Sequence, residues 1–381
     1  MNEPTLGIDP TGSFAKHASN FAFHAKPTPS KSAERMANLI RSAVLTKFLD
    51  VAQTLNLNPQ EVLRQAGLTR ALIEDPEQRI PSRAAVALLE AAAQASQCPT
   101  FGLRMAQARQ LSDFGVVSLL ISHQASLRDA LATLLQYRHL LNESLAMQIE
   151  NVGKMVIVRE EVVVGLLSPQ ATELAIGVLF RMCAAFLGGC WHPHSVNFTH
   201  AAPADLSVHR KVFDCRIEFG SEFNGFVFSS ADLDAPNPSA DPVMASYAQR
   251  FLESLPRNSH HNTTEAVRQA IYLMLPMGRA NSECVAQGLG LSVRTMQRQL
   301  DEDQASFTDL LNEVRRELVQ RYLANAQYNM TRIADLLGYS TPSAFTRWFA
   351  THFGQSPSAW RRSQTDQFLP AAPGRSAAAK T

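Results

Sequence analysis

ECVAQGLGLSVRTMQRQL, residues 283–300, and RIADLLGYSTPSAFTRWF, residues 332–349, are two copies of one pattern. Val285, Ala286, Leu289 and Gly290 match Ile333, Ala334, Leu337 and Gly338 at a spacing of 48. After the turn the register slips by one, and Ser292, Met296, Gln297, Arg298 and Leu300 match Thr341, Phe345, Thr346, Arg347 and Phe349 at 49. Each copy reads as a helix-turn-helix. A short helix offers an apolar residue and a small Ala to its partner, and a Gly that tolerates positive φ ends it. A hydroxyl from Ser292, and from Ser340 or Thr341, then caps the next helix. Pro342 suits the first turn of that helix, where a missing N–H costs nothing. Met296 and Leu300, like Phe345 and Phe349, fall on one face and leave the polar residues for the other.

Between the copies, Phe307, Leu310, Leu311, Val314, Leu318 and Tyr322 form one amphipathic stripe, so a single helix holds the two units apart. Major grooves on one face of DNA recur about every 34 Å, so a rigid spacer lets one chain set two reading helices in successive turns. The polar faces carry Arg294, Gln297 and Arg298 in the first copy and Ser343, Thr346 and Arg347 in the second. Arg can clamp guanine and Gln adenine, while Ser and Thr suit phosphate as well as a base. The competing reading of all six is an ordinary solvated helix face. No Asp or Glu occurs between 336 and 362, where Arg347, Arg361 and Arg362 stand, as a phosphate-facing surface requires. Arg298 and Arg347 are read as lacking a carboxylate partner within the chain. Phe345, Trp348, Phe349 and Trp360 belong to the core by spacing. Arg315, Arg316 and Arg321 either touch the DNA backbone or bridge to Glu313 and Glu317.

The chain has 381 residues, enough for two domains and tails. Residues 1–35 and 364–381 read as disordered tails by composition. Residues 36–255 read as an α+β domain and 262–363 as an all-α domain, with PRNSHHNT (256–263) as the hinge. Within the first, helical patterns span 36–56, 83–96 and 125–141. LAMQIE (145–150) and MVIVRE (155–160) alternate around Asn151-Val152-Gly153-Lys154 as a hairpin. A long apolar helix over 169–188 precedes strand-like pieces at Val196–Thr199, Ile217–Phe219 and Phe226–Phe228.

Lys and Arg number 35 against 34 Asp and Glu, a net charge of +1, so attraction to phosphate must come from local clustering. The cysteines at 98, 183, 190, 215 and 284 have no paired spacing, which points to a reducing compartment. The longest apolar run, Ala175–Trp191, is interrupted by Arg181, and no leader pattern precedes it, so a soluble, cytoplasmic protein without a membrane partner is expected. Cys190, His192 and His194, with His200 and Cys215 beyond, are the most metal-like group but lack a ligand frame. No metal and no cofactor is expected. No G-x-S-x-G, H-E-x-x-H or phosphate-loop pattern occurs, so a regulator with a catalytic N-terminal domain is the lesser alternative to a non-enzyme.

The stretches SVRTMQRQL (292–300), FTDLLNEVRRELVQRYL (307–323) and ADLLGYSTPSAFTRWFATHFGQSPSAWRR (334–362) resemble the AraC/XylS family of transcription regulators. AGL (66–68), RIPSRAAVALLEAA (79–92), FGLRMA (101–106), DFGVVSLLISHQASLRDAL (113–131) and SVNFTHAAPADLSVHRKVFDCRIEFGSEFNG (195–225) resemble the arabinose-binding type of effector domain of ornithine-utilisation regulators. The resemblance implies a sequence-specific DNA-binding regulator, an activator rather than a repressor, that responds to a small molecule through its N-terminal domain. The expected partners are double-stranded promoter DNA, RNA polymerase, the effector and a second copy of the chain as a homodimer. The effector's identity and binding residues stay open, since no convergence of charged residues names them.

Overall fold

The computed structural model describes residues 39–188, 191–254 and 263–368. The tail expected at 1–35, the hinge up to residue 262, Cys190 and the last residues from 369 lie outside them. The segment read as one helix over 36–56 divides: β1 (Leu39–Arg41) leads into a tight turn (Ser42–Leu45) and then α1 (Phe48–Thr54). β1 pairs antiparallel with β2 (Arg79–Pro81), setting buried Ile40 against buried Ile80. Strands of three residues are too short to register a period, and the partly buried Arg109 side chain takes the Ala43, Val44 and Thr46 carbonyls that a helix would have used.

Helices α2 (Pro59–Gln65), α3 (Arg70–Glu74), α4 (Ser82–Ala95) and α5 (Phe101–Ala108) follow. Then come α6 (Val116–Ser122), α7 (Leu127–Gln136) and α8 (Arg138–Leu141). The expected hairpin is β3 (Leu145–Val152) and β4 (Met155–Val162), closed by Gly153 at φ 63 and Lys154. After α9 (Pro169–Leu187) come β5 (Ser195–Phe198), α10 (Ser207–Phe213), β6 (Arg216–Phe219) and β7 (Gly225–Ser229). The sheet order is β3-β4-β7-β5-β6, antiparallel except for the β5–β6 pair. By length and a hydropathy of 1.4, α9 could cross a membrane, yet it is the core helix of this domain, with Ile176, Leu179 and Cys183 buried. It lies tight against α5: a Cβ on Gly177 would stand 2.7 Å from that of Ala106, and one on Gly102 would stand 2.0 Å from the Gln170 carbonyl oxygen.

Beyond α11 (Ser230–Leu233), α12 (Pro242–Ser254) buries Ala248 and Leu252 in the same core, so this helix is part of the first domain. A second core belongs to the helical remainder: α13 (Thr263–Met274), α14 (Ser282–Gly288), α15 (Val293–Glu302), α16 (Phe307–Ala324), α17 (Met330–Leu336), α18 (Pro342–Phe353) and α19 (Pro357–Phe368). The backbone of α19 runs to Phe368, past the start of the tail expected from 364. Ala146 in the hairpin and Val163, the residue after β4, pack in this second core. Side chains of a strand alternate between faces. Ala146 stands opposite Glu161, and with Val163 they face the helical domain, whereas Met147 stands opposite Glu160 on the side of the first core.

Candidate nucleic-acid interface

Each helix-turn-helix is built by the devices its residues imply. Gly290 and Gly338 both sit at φ 69, ending α14 and α17 in a conformation that a Cβ would strain. Ser292 Oγ accepts from the Thr295 N–H at 3.1 Å, and Thr341 Oγ1 accepts from the Ala344 N–H at 3.2 Å. Thr341, not Ser340, is therefore the cap of α18, with Pro342 in its first turn. We expect Ser292→Ala and Thr341→Ala each to cost about 1 kcal/mol in urea denaturation. Ser340→Ala should stay within about 0.5 kcal/mol, and a larger loss there than at Thr341 would move the cap.

Met296, Leu300, Phe345 and Phe349 are at most 1% exposed, which turns the opposite faces of α15 and α18 outward. Arg294, Gln297 and Arg298 on α15, and Ser343, Thr346 and Arg347 on α18, are all exposed. The Thr346 hydroxyl donates to the Pro342 carbonyl at 2.9 Å. Toward a ligand it is left as an acceptor, suited to an amino group on a base edge and not to a phosphate oxygen. Arg298 does have a carboxylate partner: its Nε lies 3.7 Å from Glu302 Oε1, correcting the expectation that it has none. Residues four apart on a helix are neighbours, and with side chains 70% and 68% exposed this pair is weak and leaves the guanidinium available. Arg347 has no ion-pair partner among the described residues.

α16 clamps the second unit, while the first is tied to α13 through Thr263 and Thr264, whose hydroxyls donate to Gln299 Oε1 at 3.1 Å and Asp303 Oδ2 at 2.8 Å. Arg315 Nε donates to the Leu337 carbonyl at 3.0 Å and its guanidinium lies 4.3 Å from the Tyr339 ring centre. Trp348 Nε1 donates to Asn312 Oδ1 at 3.1 Å. Arg361 Nε donates to the Leu323 carbonyl at 3.0 Å, placing a cation at the C-terminal end of α16, where the helix dipole favours it. Arg315 and Arg361 are thus structural, Arg321 turns inward, and Arg316 and Arg362 remain exposed.

The inward residues form a joint with the first domain that the sequence reading did not anticipate. Arg321 Nη1 donates to Glu161 Oε2 at 2.9 Å, and Asn224 Nδ2 donates to Glu161 Oε1 at 3.1 Å. Arg268 holds both oxygens of Glu317, at 2.6 and 2.8 Å, and also the Val163 carbonyl at 3.3 Å. Tyr328 OH donates to the Gly220 and Ser221 carbonyls, and Arg332 pairs with Glu222. The one signal available beforehand was the Glu160-Glu161 doublet in a strand whose only other charged residue is Arg159.

The histidines near the metal-like group serve packing. His200 Nε2 and His209 Nε2 lie 3.2 and 2.9 Å from Glu173 Oε1. Burial, then the nearby His209 and Arg321, pushes the His200 pKa down to about 4, so it is neutral. Among the described residues no group of three or more His, Cys, Asp and Glu is arranged to hold a metal ion.

A family model described as the arabinose-binding domain of AraC transcription regulators matches residues 57–237, and one described as a helix-turn-helix domain matches residues 285–363. The HTH-type transcriptional regulator VirS of Mycobacterium tuberculosis is 30% identical over 331 residues, covering 86% of this chain and 97% of its own. The ornithine utilization regulator of Pseudomonas aeruginosa is 24% identical over 331 residues, covering 85% and 97%. The crystal structure of the transcriptional regulator CdpR from Pseudomonas aeruginosa aligns over 81% of this chain and 97% of its own, with a TM-score of 0.39 and 18% identity.

Proposed function

Because the chain belongs to the AraC family of helix-turn-helix transcription regulators that carry an arabinose-binding N-terminal domain, we propose that it reads promoter DNA with α15 and α18 in successive major grooves. The residues that touch DNA are Arg294, Gln297, Arg298, Ser343, Thr346 and Arg347. The observation carrying this reading is that two capped helices of one helical domain both bury their apolar face and turn these polar side chains outward. Residues 36–255 bind a small-molecule effector and residues 262–363 act on DNA, in the cytoplasm, as an activator that contacts RNA polymerase and pairs with a second copy of itself. Effector binding biases which arrangement of the two domains is populated. The alternative of a catalytic N-terminal domain finds no support in the matched relatives, whose names are those of transcription regulators.

A gel shift and footprint on DNA fragments flanking the protein's own gene test the reading. Two protected half-sites about one helical turn apart are expected for one monomer. Absence of any shift at low salt, where phosphate contacts are strongest, sinks it.

A further inference from the structure

Between β4, α4 and α9 the first core encloses a cavity of about 130 Å³. Its walls are largely aliphatic, including Val86 and Leu89 from α4 and Leu174 and Val178 from α9. Most polar groups at its edge are already engaged. Arg109 holds backbone carbonyls, Arg41 holds Glu77 and the Leu140 carbonyl, Asn142 accepts from the Ser144 N–H, and Asp113 accepts from the Gln110 N–H. Arg138 also lines it, partly buried, and burial lowers its pKa. Ser144 (1% exposed) and Glu160 (3% exposed) are different: both line the cavity, Ser144 Oγ and Glu160 Oε2 are buried without a hydrogen-bond partner, and of the two only Glu160 is ionisable. Burial, reinforced by the Glu161 carboxylate, pushes its pKa up to about 8. At neutral pH it is a carboxylic acid with one donor and free acceptor capacity.

A buried polar atom without a partner, in an otherwise apolar cavity, marks where a ligand atom completes the bond. Resting on the effector-responsive reading above, we propose that this cavity is the effector site and takes a small, uncharged, mainly apolar molecule whose one hydroxyl or carbonyl meets Glu160. The size follows from the volume, since a cavity of about 150 Å³ accommodates benzene. The polarity follows from the lining. A pentose would bury several hydroxyls with one acid and one serine hydroxyl to meet them, and a free amino acid would bury an ammonium and a carboxylate in a largely aliphatic lining. Neither the sugar in the name of the matched domain nor the amino acid in the name of the Pseudomonas relative fits.

Calorimetry on the full chain at neutral pH, with hexanol, hexanoate, arabinose and ornithine as probes, tests this. Hexanol should bind at least about tenfold tighter than hexanoate, because a buried unpaired charge costs more than a hydroxyl that gains a partner. Arabinose and ornithine should give no binding heat. Glu160→Leu should weaken hexanol about tenfold, while Glu160→Gln, which keeps a donor and an acceptor, should weaken it by less than about threefold. Ala175→Phe, which fills the cavity from α9, should abolish binding; should that variant fail to fold, the two Glu160 variants still decide. Tighter binding of hexanoate than hexanol would hand the head group to Arg138 and overturn the proposal. So would binding of either named metabolite, or indifference of hexanol to Glu160. Calorimetry needs no DNA, so these outcomes leave operator binding untouched, and a failed gel shift beside intact hexanol binding would sink that reading alone.

Discussion

Arg321→Ala destabilises the full chain by about 3–5 kcal/mol, because it leaves Glu161 buried with only Asn224 to satisfy it. The two side chains are 13% and 9% exposed, so water screens them little and cannot replace the lost partner without the domains parting. Glu161→Leu should cost a similar amount by stranding Arg321. The double variant Arg321→Met/Glu161→Leu should recover most of the loss, since a buried ion pair can be exchanged for apolar packing at little net cost. Urea denaturation of the four proteins gives the coupling energy directly. Single losses below about 1 kcal/mol, or a double variant as unstable as the sum of the singles, would mean that the pair does not hold the domains together. Glu160 and Glu161 are consecutive on β4, one lining the cavity and the other holding the spacer helix, so the Glu161 variants should also lose any effect of a bound ligand on DNA affinity.

Arg298→Ala and Arg347→Ala should leave folding within about 0.5 kcal/mol of wild type and weaken DNA binding far more. A side chain that clamps guanine loses about 1–3 kcal/mol, confined to the cognate sequence. One that holds a phosphate weakens every sequence and lowers the salt slope by about one. Arg298→Ala should relax one half-site and Arg347→Ala the other. The Glu302 pairing adds a control: Glu302→Gln releases Arg298 and removes a negative charge near the DNA, so affinity should rise modestly. Melting curves, affinities at two salt concentrations and footprints separate these cases. Wild-type affinity in both folded arginine variants would mean that α15 and α18 are not the reading helices.

The helix-turn-helix units were legible because local rules determine them: Gly ends a helix, Ser and Thr cap the next, and apolar residues four apart bury one face. The hairpin and α9 were legible for the same reason, strict period or continuous apolarity over many residues. β1 and β2 were not, because a pairing of Ile40 with Ile80 across some forty residues of chain leaves no local trace. Nor was the domain joint. Arg321 and Glu161 lie 160 residues apart, and an Arg on a polar helix stripe reads the same whether it meets water, phosphate or a buried carboxylate. The cavity went unseen because its unpartnered polar groups are two residues, Ser144 and Glu160, whose meaning depends on what surrounds them in space.

Ala146 and Val163 come early in the chain and yet pack in the core of the DNA-reading half. Anyone recombining such regulators into new biosensors by joining one parent's first half to another's second half would therefore cut a single peptide near 255–262 but graft a foreign hairpin onto helices that grew up around a different one. The transferable module is discontinuous: the β3–β4 hairpin travels with the helices beyond it, and its inward residues travel with the inducer. A chimera exchanged at the linker alone should keep its operator and lose its responsiveness, and restoring Ala146, Glu161 and Val163 to match the incoming helices is the repair that inheritance itself would have had to make.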